Sequence, residues 1–372
     1  MPGPIVITGG GTGGHVFPMQ AIGEQIMQRG IAPKEVRYVG SRRGQEATIL
    51  IPGPIRLTLL PGRGIRRSWG LRAIWANVGA AIGLVTAVVV AMVLVGRWRP
   101  RVVVSVGGYA SFATSLAALV WRRPLVLVEL DAYPGAAQRV LAHFAQRRCT
   151  AFPSEEPGTV LCGAPIRDSI VAVDRSASTR VRARARFDPP IDPERQVIVV
   201  MTGSLGSGKV NRTVSELAAL WAERTDVTII HVAGRRDFAQ VVGSRPDTHG
   251  LDYRIIEFAD MVQLWGICDA AVCRSGAITM AELTALAIPA VLIPLPGAPG
   301  DHQTRNAQVL ASAGGARMIA DRELNAGVLA NVLDEVMEPR TLESMSSISS
   351  TFARRDAARA IAEVVAHVGG VR

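Results

Sequence analysis

The chain has 372 residues, about twice a common domain size, and is read as two domains. Hydrophobic residues make up 48% and charged residues 19%, which supplies two packed cores and excludes a disordered chain. The formal charge of +10 rests on arginine, with only Lys34 and Lys209 as lysines; aromatics are 5% and no Lys/Arg tract occurs, so phosphorylated substrates or an anionic lipid surface are expected as partners and no nucleic acid.

The N-terminus runs straight into a strand, Ile5–Thr8, without the basic segment and cleavage site of a signal peptide. The turn Gly9-Gly10-Gly11-Thr12-Gly13-Gly14-His15 follows, then a helix over 18–29. Gly9, Gly11 and Gly14 satisfy the dinucleotide spacing GxGxxG. That reading needs an acid ending the second strand, and the strand at 36–39 ends instead in Gly40-Ser41. A glycine-rich turn opening a helix still offers backbone N–H groups to an anion. His15 on such a turn is a candidate base.

After a strand at 55–59 comes an uncharged stretch, 73–96, bracketed by Arg72 and Arg97. Its length suits a membrane span. A single crossing, however, would put the strands 55–59 and 102–106 on opposite sides of a bilayer, and both read as members of one parallel sheet. Asn77, Gly79 and Gly83 also interrupt it. The expectation is a helix packed partly on the sheet, with a leftover apolar face for a membrane surface. Arg63, Arg66, Arg67, Arg99 and Arg101 flank it with Trp69, Trp75 and Trp98, as cations and indoles flank interfacial segments.

The strand at 102–106 leads into a second glycine turn, Gly107-Gly108-Tyr109, and another helix. Two such turns at strand C-termini of one sheet favour an anion-binding edge. A strand at 125–129 and a helix at 136–148 follow. A Pro-, Gly- and charge-rich interval, 163–193, holds an exposed helical fragment at 180–186, and the domain boundary is expected near 163–167.

The second half repeats the alternation, with strands at 197–202, 227–232, 270–273 and 290–293 and helices at 211–224 and 279–287. Gly203 to Lys209 matches GxxxxGK, the start of a P-loop, but Val210 stands where a hydroxyl would ligate magnesium. As a turn it delivers Ser204 and backbone amides to a diphosphate without a metal. Glu282, inside the helix after Cys273-Arg274-Ser275-Gly276-Ala277, suits a ribose diol because a carboxylate accepts from two hydroxyls. Gln303 and Asn306, three apart after Asp301, share a helix face suited to sugar hydroxyls. The last segment, 352–368, reads as an amphipathic helix. Cys149, Cys162, Cys268 and Cys273 form no CxxC pair and are expected as buried thiols.

In this order the motifs resemble the MurG family of GT-B glycosyltransferases over essentially the whole chain. The most specific are 9–18, Gly107-Gly108-Tyr109, Gly163-Ala164-Pro165-Ile166-Arg167, 273–277 with Glu282, and 301–307. The resemblance implies an α/β fold of two Rossmann-like doubly wound parallel-sheet domains facing a central cleft. An acceptor and membrane-associating domain, 1–165, would precede a UDP-sugar domain, 166–349, with a C-terminal helix in 350–372 packing back on the first. It implies an inverting hexosyltransferase that moves N-acetylglucosamine from UDP-N-acetylglucosamine to the 4-hydroxyl of the muramyl sugar of lipid I, giving lipid II for peptidoglycan. No cofactor or divalent metal is expected. The partners would be the UDP-sugar, the undecaprenyl-diphosphate-linked muramyl peptide and an anionic membrane surface, on the cytoplasmic face of the bacterial plasma membrane.

By the same resemblance His15 is the general base, and Thr12, Gly13, Gly14, Gly107, Gly108 and Tyr109 form the acceptor-side loops. Asp131, Arg167, Ser204, Glu282, Gln303 and Asn306 bind the donor. Two departures stand out. The chain has Val128-Glu129-Leu130-Asp131 where the family has His-Glu-Gln-Asn, and Leu205 where the family has an amide-bearing residue. The alternatives are a GT-B enzyme acting on another lipid acceptor, a sugar-nucleotide epimerase of the same fold, and a non-catalytic sugar-nucleotide-binding protein.

Overall fold

The computed structural model describes residues 3–62, 71–203 and 206–371, without the side chains of 71–80. The chain divides into two compact units, residues 1–167 with 355–372 and residues 168–354.

The first unit runs β1 (Ile5–Thr8), α1 (Gly13–Gln28), β2 (Val36–Ser41), α2 (Glu46–Leu50), β3 (Arg56–Leu60), α3 (Leu71–Trp98), β4 (Val102–Ser105), α4 (Tyr109–Val120), β5 (Leu125–Glu129), α5 (Ala136–Ala142), β6 (Arg147–Thr150) and β7 (Thr159–Leu161). The strands form one sheet in the order β3-β2-β1-β4-β5-β6-β7, every pair parallel. Its central strands are unbroken apolar runs because helices cover both faces. On one face Val6, Val39, Val103, Leu125 and Leu127 pack against Ala87, Ala91 and Val95 of α3 and Ala110, Ala113 and Ala117 of α4. Alanines four residues apart keep that contact narrow.

The second unit runs α6 (Asp168–Val171), α7 (Ala177–Arg184), β8 (Gln196–Met201), α8 (Gly208–Leu220), β9 (Val227–Val232), α9 (Phe238–Gly243), β10 (Asp252–Ile256), α10 (Met261–Ile267), β11 (Ala270–Cys273), α11 (Ala277–Ala285), β12 (Ala290–Leu292), α12 (His302–Ser312), β13 (Ala316–Met318), α13 (Ala326–Met337) and α14 (Pro339–Thr351). Its parallel sheet has the order β10-β9-β8-β11-β12-β13. The last helix, α15 (Ala357–Val368), returns to the first unit and packs on α1, with Arg29 and Glu363 paired at 3.6 Å.

Several expected elements differ from the observed ones: the helix expected over 18–29 already starts at Gly13, and the one expected over 352–368 starts at Ala357. The helix expected over 136–148 stops at Ala142, and Arg147–Thr150 is strand β6. The fragment at 180–186 overlaps the end of α7 and exposes Val181, Arg182, Ala185 and Arg186 as expected, with one exception. Its Arg184 is buried because its guanidinium donates to Asp269 at 2.6 Å and to the carbonyl of Ile267 at 3.0 Å. Arg180 binds the same carboxylate, so this helix is pinned to the N-terminal edge of β11. All four cysteines are free and buried.

Among the described residues α3 is long and apolar enough, by length and composition, to cross a membrane. Ala87, Ala91 and Val95 nevertheless commit one of its faces to the core. The opposite face exposes Ile82, Val85, Val89 and Val93. Arg63, Arg66, Arg67 and Trp69 lie outside the described residues, as do the side chains of Arg72, Trp75 and Asn77.

Candidate functional site

In a doubly wound sheet the crevice for a ligand opens where the strand order reverses, at the C-terminal ends of the strands. In the first unit that point lies between β1 and β4, and both glycine turns leave the sheet there. They interlock. Gly108 adopts φ 89°, and a side chain on it would strike the carbonyl oxygen of Gly10. His15 is the third residue of α1, on the first of these turns. Its Nδ1 lies 3.1 Å from the carbonyl oxygen of Val106, on the second. A carbonyl only accepts, so Nδ1 carries the hydrogen and the neutral ring keeps its lone pair on Nε2. The second turn thus favours the tautomer with the hydrogen on Nδ1 and the lone pair on Nε2.

The N–H groups of this loop are not all open to an anion, contrary to the simplest expectation from its glycines. Gly9 N–H bonds to Val39 O at 3.2 Å, and Gly11 N–H to the Glu46 carboxylate at 3.0 Å. Gly13 and Gly14 start α1, where N–H groups have no partner within the helix. Tyr109 opens α4, and burial pushes its phenol above the ordinary range. Asp131 follows β5 in the loop to α5 and is half-buried. Beside it Glu129 is buried. Burial raises its carboxyl, and Arg148 at 3.8 Å works the other way. Arg167 stacks its guanidinium 4.4 Å from the ring centroid of Phe17, beside the start of α1.

The order reverses in the second unit between β8 and β11, and a cavity of about 410 Å³ lies there, within the range of ligand pockets. Thr202, Gly203, Ser207, Arg236, Arg274 and Gln303 are among its walls. Gly206, at φ 82°, brings the turn after β8 against the carbonyl of Ala233, where a side chain would collide. Arg274 clamps the same turn: it donates to Ser207 Oγ and Asp321 Oδ1, both at 2.7 Å. Lys209, the residue that suggested a P-loop, points to Asp321 instead. Asp321 therefore engages the cation that a P-loop would send to phosphates. Asn211 continues the network below, donating to Ala233 O at 3.0 Å and to Asp237 at 3.1 Å while bonded to the buried His231 at 3.0 Å. Burial pushes His231 down to about 4.

Gln303 lines the cavity, and its Oε1 accepts from Leu295 N–H at 3.0 Å. Glu282 is buried on α11, with Oε2 accepting from the Trp265 indole at 2.8 Å. Asn306 is buried as well and donates to the carbonyl of Ser275 at 3.2 Å, which puts it behind the cavity wall and not among the lining residues. Ser204 and Leu205 lie outside the described residues.

Residues 5–150 match the N-terminal domain model of glycosyltransferase family 28, and residues 197–361 match its C-terminal domain model. A UDP-N-acetylglucosamine–N-acetylmuramyl-(pentapeptide) pyrophosphoryl-undecaprenol N-acetylglucosamine transferase of Alkalilimnicola ehrlichii is 36% identical over 97% of this chain and 98% of its own. The chain belongs to the MurG family. A transferase of the same name from Pseudomonas aeruginosa is 34% identical over 99% of both chains. The crystal structure of Acinetobacter baumannii MurG superimposes with a TM-score of 0.74 at 25% identity, covering 98% of this chain and all of that one. The chain is accordingly a UDP-sugar-dependent hexosyltransferase with a GT-B fold.

Two arginines at the cavity, Arg274 and Arg236, were left unassigned by the sequence patterns. Arg274 stood inside a quoted motif, but its contacts to Ser207 and Asp321 cross 67 and 47 positions. Arg236 lines the cavity and is held by Asp237 at 2.6 Å; nothing in its local sequence distinguishes it from the other surface arginines.

Proposed function

We propose that this transferase moves N-acetylglucosamine from UDP-N-acetylglucosamine to the 4-hydroxyl of the muramyl sugar of lipid I, yielding lipid II for peptidoglycan. The observation that carries the reading is the second unit's cavity, walled by a glycine turn, two arginines and Gln303, in a chain 36% identical to a transferase named for that reaction.

His15 Nε2 takes the proton of the acceptor hydroxyl. The resulting oxygen forms its bond to the anomeric carbon on the side away from the diphosphate. The bond from that carbon to the diphosphate oxygen breaks, and UDP leaves with the electron pair, so the configuration inverts. Negative charge grows on the leaving diphosphate. Glycine-turn amides, Ser204 and Arg167 meet it, with no metal assigned a part. Glu282 takes the ribose hydroxyls, and Gln303 and Asp131 the sugar. Asn306 contributes by fixing Ser275. Thr12, Gly13, Gly14, Gly107, Gly108 and Tyr109 receive the acceptor.

The acceptor is a lipid, and the exposed row Ile82, Val85, Val89 and Val93 on α3 suits a bilayer surface. Arg97 and Arg99 at the end of that helix are exposed and suit anionic headgroups. The enzyme then docks peripherally on the cytoplasmic face of the plasma membrane, since Ala87, Ala91 and Val95 tie α3 to the sheet.

The test is UDP release from UDP-N-acetylglucosamine with and without lipid I. Release is expected only with the acceptor and to be unchanged by EDTA. His15→Ala is expected to lower kcat by roughly 10²–10⁴-fold and to leave the donor KM within a few-fold. Equal losses in kcat and donor affinity would remove the base role. Release without acceptor would remove the proposed reaction.

A further inference from the structure

Glu46 is the first residue of the five-residue helix α2 and is completely buried. A buried carboxylate is costly unless its oxygens are hydrogen-bonded. Its Oε1 accepts two backbone N–H groups, from Gly11 at 3.0 Å and from Ser41 at 2.7 Å. Those donors lie on different loops, one leaving β1 and the other ending β2. Oε2 has no hydrogen-bond partner among the described residues. Three glycines make room for the side chain. A Cβ at Gly10 or at Gly44 would strike the carboxylate, and one at Gly40 would lie 2.7 Å from Glu46 Cγ.

From this carboxylate a short chain of contacts reaches the base. Gly11 is held by Glu46, and its neighbour Gly10 is the residue on which Gly108 packs. Gly107 in turn lies so close to the imidazole that a Cβ on it would be 3.0 Å from His15 Cε1. The acid that a dinucleotide site would direct outward to a ribose is thus absent from the end of β2. An acid five residues further on turns inward and takes a loop amide for itself.

We infer that Glu46 is a positioning residue of the transfer reaction, an internal carboxyl group that holds the first glycine turn and, through it, the His15 imidazole. It occupies the Gly11 amide, so a ligand at this edge would meet the other groups of the turn. The inference rests on the transfer reaction proposed above.

The full chain is assayed for steady-state transfer from UDP-N-acetylglucosamine to lipid I. Glu46→Ala leaves two N–H groups without their acceptor and is expected to lower kcat at least about tenfold, with the donor KM within about twofold, because the donor cavity is in the other unit. Glu46→Gln keeps one oxygen for both N–H groups and is expected to restore kcat to within about threefold of the parent. Gly10→Ala displaces the carboxylate without removing it and should reproduce the Ala loss. If Glu46→Ala does not fold, the contrast between Glu46→Gln and Gly10→Ala decides in the same way. An active parent whose variants keep their kcat, or a Gln variant as impaired as the displaced ones, overturns this inference alone. A parent without transfer overturns the functional reading and this inference with it.

Discussion

His231 links the stability of the second unit to pH. It is fully buried on β9. Its Nδ1 is 2.8 Å from the Tyr253 hydroxyl and its Nε2 3.0 Å from Asn211 Oδ1. Asn211 also donates to Asp237, whose carboxyl Arg236 holds below its usual range. Burial lowers the imidazole from 6.5 to about 4, so between those values the unfolded chain binds a proton that the folded one does not. The contribution of His231 should therefore be constant above about pH 6.5 and fall toward pH 4, by roughly 3 kcal/mol at most. Urea unfolding across that window checks this, with His231→Gln expected to flatten the slope. An unchanged slope in the variant would assign the pH dependence to other groups. His15 and Gln303 stood out in the sequence as candidates because they sit on motifs whose spacing is itself the signal. Glu46 and Arg236 did not stand out, since one partner of each is brought near only by packing: Glu46 bonds to an amide 35 positions away, and Arg236 to the carbonyl of Gly206, 30 away.

Among elements, apolar or β-branched strands were readable and charged ones were not. β1, β4, β5, β8 and β9 are buried runs of Val, Ile and Leu. β6 is Arg-Arg-Cys-Thr and β13 is Ala-Arg-Met, and neither carries an apolar run long enough to stand out. β7, β10 and β13 lie at sheet edges, where one side has no neighbour and charge is tolerated. The helix α3 was readable as apolar but not in its division of faces, which depends on where α4 packs. That division makes a prediction. Val89→Glu with Val93→Glu alters only the exposed face, so secondary structure should be retained while partition onto anionic vesicles falls at least about tenfold, two buried valines being worth roughly 1.5–3 kcal/mol each. Unchanged partition, measured by co-sedimentation, would place the membrane contact elsewhere.

At the scale of the molecule, the two units repeat one design with different contents. Each is a parallel sheet whose strand order reverses once, and each presents glycine turns at that reversal. In the first unit the turns lock together around His15 and an internal carboxylate. In the second the turn is held by Arg274 and stands over an open cavity. On the proposed function, His15 in the first unit would serve the acceptor and the cavity of the second unit the donor, as a two-substrate transfer requires. The most direct measurement is the structure of the product. Purified enzyme is incubated with UDP-N-acetylglucosamine and lipid I, and the lipid fraction is read by mass spectrometry and NMR. A lipid-linked disaccharide joined through the muramyl 4-oxygen, with inverted anomeric configuration, is the predicted result. A nucleotide-bound epimer, or a sugar transferred with retained configuration, would contradict it.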